Sequence, residues 1–142
     1  MNWYVTSIAL IVGSNVFYNL LTKATPAGAN PLAALVVTYL TAAAATFLLL
    51  LAGSRGQGLG AAFRSVNWTS LALGLSIIGL EFGYIQAYRA GWNISVCSLA
   101  ANITLAVLLL AIGVLFFRER LSGNQFFGAA LCLIGLFFIN RH

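Results

Sequence analysis

The chain has 142 residues, of which 61% are hydrophobic and 6% are charged, with a mean hydropathy of +0.97. A soluble domain carries about 25% charged residues and at this size buries only about two-thirds of the surface that its unfolded chain exposes, so a water-soluble fold is excluded. The net charge is +5, but the basic residues are isolated at the ends of apolar runs, as membrane anchors are, which excludes a nucleic-acid-binding face.

Five apolar segments are long enough to cross a bilayer as α-helices, which takes about 20 residues each. Between them lie a stretch with both prolines, a glycine-rich loop, a tight AGWN turn and a charged RERLSGN turn. The sequence therefore predicts an all-α integral membrane bundle, one domain over residues 1–142, as a multi-pass protein of the cell inner (plasma) membrane. In chain order the predicted helices cover about 3–22, 32–53, 67–89, 92–117 and 123–140.

The first predicted helix carries polar side chains on one face. Asn15, Tyr18 and Asn19 follow the helical spacing i, i+3, i+4. Because hydrocarbon offers no hydrogen-bond partner, we expect these side chains to face a cavity and to bind substrate. Amide hydrogen bonds between helices are also common structural contacts worth about 0.6 kcal/mol each, so a structural role for the two asparagines is an equal alternative.

The third predicted helix holds Glu81, one of only two acidic residues in the chain. A charge at the bilayer centre costs about 2.5 to 3.5 kcal/mol on insertion scales, and residues that persist there are usually functional. Tyr84 and Tyr88 share its helical stripe, and we expect the stripe to bind a substrate or a proton. The alternative is a structural Glu81 that hydrogen-bonds as a neutral acid, or that pairs with Arg89 or Lys23.

Small residues mark the predicted packing faces. Gly79 and Gly83 lie on another face of the third helix, and Gly128 and Gly135 lie on the fifth. Small residues on one helix face let helices approach closely, as Gly79 and Gly83 do four positions apart and as Gly128, Cys132 and Gly135 do along one stripe. We expect the four glycines to serve helix packing, and those of the fifth helix to serve dimer contact as well.

The fourth predicted helix repeats the polar pattern with Ser95, Ser98 and Asn102. The serines are most simply packing residues, whereas Asn102 is expected in the binding site. The polar stripes of the first, third and fourth helices are therefore predicted to surround a common cavity.

Nothing in the sequence indicates catalysis. The single histidine is at the carboxyl terminus, and there is no phosphate-binding glycine loop, nucleotide motif, CxxC pair or paired carboxylates in one segment. We expect no enzyme activity, no cofactor and no metal, and any transport would be driven by a gradient.

The charges flanking the predicted spans are nearly balanced between the two sides of the membrane. The positive-inside rule requires an asymmetry to set orientation, and the count is four basic residues against three. Two alternatives are therefore close. In one, the amino terminus has a weak preference for the inside; in the other, dual topology, the chain inserts both ways. The amino-terminal side has Arg55, Arg64, Arg118 and Arg120, and the opposite side has Lys23, Arg89 and Arg141.

Two stretches resemble a known family. In "FFRERLSGNQFFGAALCLIGLFFI" an apolar helix closes on Glu119-Arg120-Leu121 and is followed by a polar residue, Gln125, and by Gly128 and Gly135. In "VGSNVFYNLLTK" the glycine, serine and asparagine of a tryptophan-glycine-serine-asparagine pattern are present, with valine in place of tryptophan. The chain resembles an EamA-like domain of the drug/metabolite transporter superfamily over nearly its whole length.

The resemblance implies a fold and a function. Most EamA-like transporters have two five-helix repeats of inverted orientation, and such repeats place the substrate site near the bilayer midplane. This chain is similar to one repeat, so an antiparallel homodimer, or a heteromer with an oppositely oriented paralogue, would complete the site. The expected function is a secondary transporter, an exporter of small organic metabolites or drugs.

Other functions stay open. The chain would alternatively be a non-transporting membrane subunit of a heteromeric complex, or a flippase for a lipid-linked carrier. In small multidrug resistance proteins of the same superfamily a glutamate stands eight residues before a lysine. Here Asn15 stands eight residues before Lys23, so proton coupling through that position is not expected.

We predict dual topology. Reporters that are active on only one side of the membrane, fused separately to each terminus, should each give signal on both sides in comparable amounts, because the flanking charges are balanced. Detection of each terminus on one side only would contradict an inverted homodimer and leave two alternatives, the heteromer with an oppositely inserted partner and the non-transporting membrane subunit.

Overall fold

The computed structural model describes residues 3–53, 59–64, 66–118 and 122–139, and all its regular structure is helical. The Glu119-Arg120-Leu121 turn and Asn140 lie outside these residues, as do Arg55 and Arg141. The helices are α1 (Trp3–Ala24), α2 (Pro31–Gly53), α3 (Leu59–Arg64), α4 (Trp68–Arg89), α5 (Ile94–Phe116) and α6 (Gly123–Ile139).

Four of the five predicted spans are confirmed as apolar helices of membrane-crossing length: α1, α2, α4 and α5. The protein is therefore a helical, multi-pass membrane protein. The fifth predicted span corresponds to the helix α6, of which the structure describes the 17 residues Gly123–Ile139, and a fifth crossing stays a prediction. The short α3 was not predicted, because its glycine-rich surroundings indicated a loop.

Side-chain caps fix where several helices begin. The Asn30 side chain accepts hydrogen bonds from the backbone N–H groups of Leu32 (2.9 Å) and Ala33 (3.3 Å), with Pro31 at the first helical position, where its missing N–H costs nothing. Asn67 caps α4 in the same way. At α6, Ser122 and Gln125 exchange side-chain-to-backbone hydrogen bonds in a capping box.

The turn between α4 and α5 depends on a glycine. Gly91 has φ +96°, a conformation that glycine adopts without steric cost and that side chains with a β-carbon rarely adopt. The sequence predicted a tight turn at AGWN, and this geometry is its physical cause.

The described residues form two compact units. One contains the residues up to Leu20 and those from Gly91 onward, and in it α5 packs against α6. The other contains Leu21–Ala90, and in it α2 packs against α4. Few apolar side chains are buried within the described chain, namely Leu35, Ile85, Tyr88 and Cys97. Lipid or a second chain must cover the exposed apolar surface, which agrees with a membrane protein.

A polar clamp closes the unit Leu21–Ala90 where α1 and α4 end. The Nη2 atom of Arg89 donates to the backbone oxygens of Ala29 (2.6 Å) and Pro26 (3.2 Å) in the loop that follows α1. The Lys23 ammonium lies 3.4 Å from the backbone oxygen of Tyr88 and 5.5 Å from the centre of its ring. Cations at these positions also interact favourably with the partial negative charge at the carboxyl ends of both helices.

We predict that Arg89→Gln loosens this loop. Hydrogen bonds to a charged group contribute about 1.5 to 3 kcal/mol, so the variant should lose about 1 to 3 kcal/mol of unfolding free energy in detergent and be cut faster by protease between residues 25 and 30. Arg64→Gln, an exposed arginine elsewhere, is the matched control. Equal melting and cleavage in the two variants would contradict the clamp.

Candidate functional site

A groove runs between α1 and α5 in the unit formed by the residues up to Leu20 and from Gly91 onward. Its volume is about 460 Å³, within the roughly 300 to 1,000 Å³ range of small-molecule sites. It brings together three predicted site residues, Asn15, Asn19 and Asn102, with Ser98 beside them; we name it the amide groove. The rest of its lining is apolar: Ile11, Val12, Val16, Leu20 and Ile94.

The asparagines of α1 are joined to each other. Asn19 is 7% exposed, and its Nδ2 atom donates to the side-chain oxygen of Asn15 (2.6 Å) and to the Asn15 backbone oxygen (2.8 Å). Their separation of four residues places them one turn apart on one face. This bond uses an acceptor of Asn15 and leaves its amide N–H₂ without a partner among the described residues.

Asn102 forms the equivalent pair on α5. Its Nδ2 atom donates to the backbone oxygen of Ser98 (2.8 Å) and to the Ser98 hydroxyl (3.2 Å). Its amide oxygen accepts no hydrogen bond from the described residues. With the amide atoms assigned this way, α1 contributes a donor to the groove and α5 an acceptor. A solute with a neutral polar group and an apolar body matches this lining.

Glu81 lies in the other unit, half-buried on α4. Its carboxyl group interacts with the hydroxyl of Tyr39 on α2, although the enclosed phenol oxygen has no acceptor in hydrogen-bond geometry. Tyr39 was not among the site residues that the sequence predicted. The signal that could have found it is its position within a membrane helix, since a buried tyrosine hydroxyl usually has a polar partner.

The alternative ion pair of Glu81 is not formed. Arg89 binds the loop carbonyls of Pro26 and Ala29, and Lys23 lies against the end of α4 at Tyr88. Neither cation pairs with the Glu81 carboxyl group among the described residues. This favours the neutral-acid or functional interpretation of Glu81 over the ion pair.

The predicted tyrosines have different surroundings. The rings of Tyr84 and Tyr88 are 5.9 Å apart, and the buried Tyr88 also lies beneath Lys23, so Tyr88 has a structural role at the clamp. Tyr18 is half-buried on α1 and is not among the residues that line the amide groove.

The predicted packing glycines face open space. A β-carbon placed on Gly79, Gly83, Gly128 or Gly135 would meet no atom of a neighbouring helix within 4 Å among the described residues. Their packing within this chain is therefore not observed, because the contacting helices meet through other faces. Contact with a second chain stays a prediction for Gly128 and Gly135. The buried glycine of α5 is Gly113, which the sequence pattern did not single out.

No protein-family model matches the chain, and no curated protein or solved structure matches it at a significant level. The resemblance of its motifs to an EamA-like domain therefore stays a prediction. The amide groove, and Glu81 with Tyr39, are the polar features of the described spans that are candidates for a role in function.

We predict that the two asparagines of α1 are energetically coupled. A single Asn15→Leu or Asn19→Leu change removes one partner of the side-chain hydrogen bond between them, whereas the double change removes both, so the double variant should be more stable than the sum of the single effects by about 0.6 to 1.7 kcal/mol. Unfolding in mixed micelles measures this coupling. An Asn15→Leu and Asn102→Leu cycle is the control and should be additive, since no hydrogen bond joins that pair.

Proposed function

We propose that the chain is one half of a secondary transporter for small organic solutes. The observation that carries the proposal is the amide groove, because helices of membrane length line it with the Asn15–Asn19 pair of α1 and with Asn102 of α5. Polar side chains are rare in spans and line pathways or sites when they occur. A groove of about 460 Å³ accommodates a metabolite or drug of modest size.

The groove recognises its solute through neutral hydrogen bonds. The Asn15 amide donates, the Asn102 amide oxygen accepts, and the surrounding aliphatic side chains remove the apolar part of the solute from water. Weak, uncharged contacts of this kind suit transport, because a carrier must release its substrate as well as bind it.

Glu81 supplies the coupling in this proposal. Its half-buried carboxyl group is the sole acidic side chain in the described spans, and Tyr39 faces it from α2. A carboxyl group in a membrane helix can take up a proton on one side and release it on the other, which links solute movement to a proton gradient. The phenol hydroxyl would stabilise the charged form when the proton leaves.

The working unit would be a dimer of oppositely oriented chains. Two inverted repeats create alternating access by rocking around a midplane site, and the near-equal flanking charges permit both orientations. The glycine faces at Gly79, Gly83, Gly128 and Gly135, open in the described chain, offer surfaces for close approach of the second chain, either a copy or an oppositely inserted paralogue.

Side-specific cysteine labelling tests the function without a known substrate. In a background with Cys97→Ala and Cys132→Ala, a Val12→Cys variant places a thiol in the amide groove. If the groove opens to both sides, an impermeant maleimide added from one side of a proteoliposome should label all chains over time. The labelling rate should also depend on pH, because protonation of Glu81 is coupled to opening of the groove. Adding Glu81→Gln should preserve complete labelling but remove this pH dependence. Each rate is measured relative to that of denatured protein at the same pH, which corrects for ionisation of the thiol.

The matched control is Leu10→Cys, an exposed apolar position on α1 outside the groove. It should stay unlabelled, because lipid excludes both the reagent and the thiolate. A groove thiol that is unreactive from both sides would support the non-transporting membrane subunit instead. Unchanged pH dependence in Glu81→Gln would overturn only the coupling role.

A further inference from the structure

A second, smaller pocket lies where α1 and α4 end, in the unit Leu21–Ala90. Its volume is about 170 Å³, and we name it the basic pocket. Both helices are candidate spans that terminate here, at Ala24 and Arg89, which places the pocket at the depth of lipid headgroups. Its walls are formed by Thr22, Lys23, Thr25, Tyr88 and Arg89, with Ala27 and Ile85.

The charge of the basic pocket is positive. Lys23 and Arg89 contribute two positive charges, and none of the lining residues is a carboxylate. The carboxyl ends of α1 and α4 each carry about half a negative charge, so about one positive charge remains. That balance suits a monoanion.

The two cations are held in place before any ligand arrives. Arg89 is fixed by the backbone oxygens of Pro26 and Ala29 through Nη2, and Lys23 rests over the Tyr88 ring. The Nε atom of Arg89 is enclosed and has no hydrogen-bond partner among the described residues. The two positive charges are therefore positioned at the pocket, and its lining residues include no carboxylate to neutralise them.

We propose that the basic pocket binds a phosphate group. Guanidinium and ammonium groups are the usual protein partners of phosphate oxygens, and the threonine hydroxyls of the wall can donate as well. A membrane lipid supplies a phosphodiester monoanion at this depth, and the apolar Ala27 and Ile85 match the beginning of its acyl chains. Free phosphate presents the same chemistry from solution.

This site is independent of the proposed transport. None of its lining residues lines the amide groove, so binding here can fail while transport stands, and the reverse also holds. The bound group would join the end of α1 to the end of α4 and stabilise the loop between α1 and α2.

Thermal unfolding of the full chain in a neutral detergent tests the proposal. Three probes are titrated separately: dioleoyl phosphatidylglycerol, dioleoylglycerol, which lacks the phosphate, and inorganic phosphate. Phosphatidylglycerol should raise the melting temperature saturably and the diacylglycerol should not. Stabilisation by inorganic phosphate would assign the site to a free anion. Equal effects of the two lipids, with none from inorganic phosphate, would overturn the proposal.

Variants locate the binding. Lys23→Gln should weaken the apparent affinity for phosphatidylglycerol about fivefold, since a cation near an anionic lipid surface contributes about 1 kcal/mol. Lys23→Arg should retain the affinity, and Arg64→Gln, outside the pocket, should leave it unchanged. Equal weakening by Lys23→Gln and Arg64→Gln would show general electrostatic attraction and overturn a localised site. If Lys23→Gln fails to fold, the comparison of phosphatidylglycerol with dioleoylglycerol on the wild-type chain still tests whether the phosphate group is bound.

Discussion

The hydrocarbon core of a bilayer offers no hydrogen-bond partner, and this constraint governs the whole structure. Backbone groups must be satisfied within each segment, so the described part of the chain is helical wherever it has regular structure. The same requirement explains the ends of the helices, where Asn30, Asn67 and the Ser122–Gln125 capping box bind N–H groups that have no helical partner. Polar side chains within the spans face the same demand.

The polar side chains meet that demand in three different ways. In the amide groove, Asn19 and Asn102 bind residues four positions earlier on their own helices, which leaves one donor and one acceptor for a solute. Glu81 instead faces Tyr39 on another helix, where a change of protonation would alter an interhelical contact. Arg89 binds a loop. The first arrangement suits recognition, the second suits coupling and the third suits fixing a helix end.

Apolar packing contributes less than in a soluble fold, because most large apolar side chains of the described residues are exposed to lipid. Lipid is as apolar as leucine, so helix association in a membrane depends on close packing and hydrogen bonds instead of the hydrophobic effect. The open faces at Gly79 and Gly83 are therefore surfaces on which a second chain could gain packing energy. A lipid phosphate bound in the basic pocket would contribute differently, through electrostatic contacts with Lys23 at the end of α1 and with Arg89 at the end of α4.

The sequence by itself determined the membrane class, the four long helices and the polar stripes of α1, α4 and α5, because apolar run length and helical spacing are local properties. It also marked Asn15, Asn19 and Asn102, which the amide groove brings together. Only the tertiary structure decided that Tyr39 faces Glu81, that Arg89 binds the loop, and that the glycine faces stay open. Helical periodicity assigns residues to a face but cannot say which helix lies opposite, and here every face is apolar enough to meet either lipid or protein.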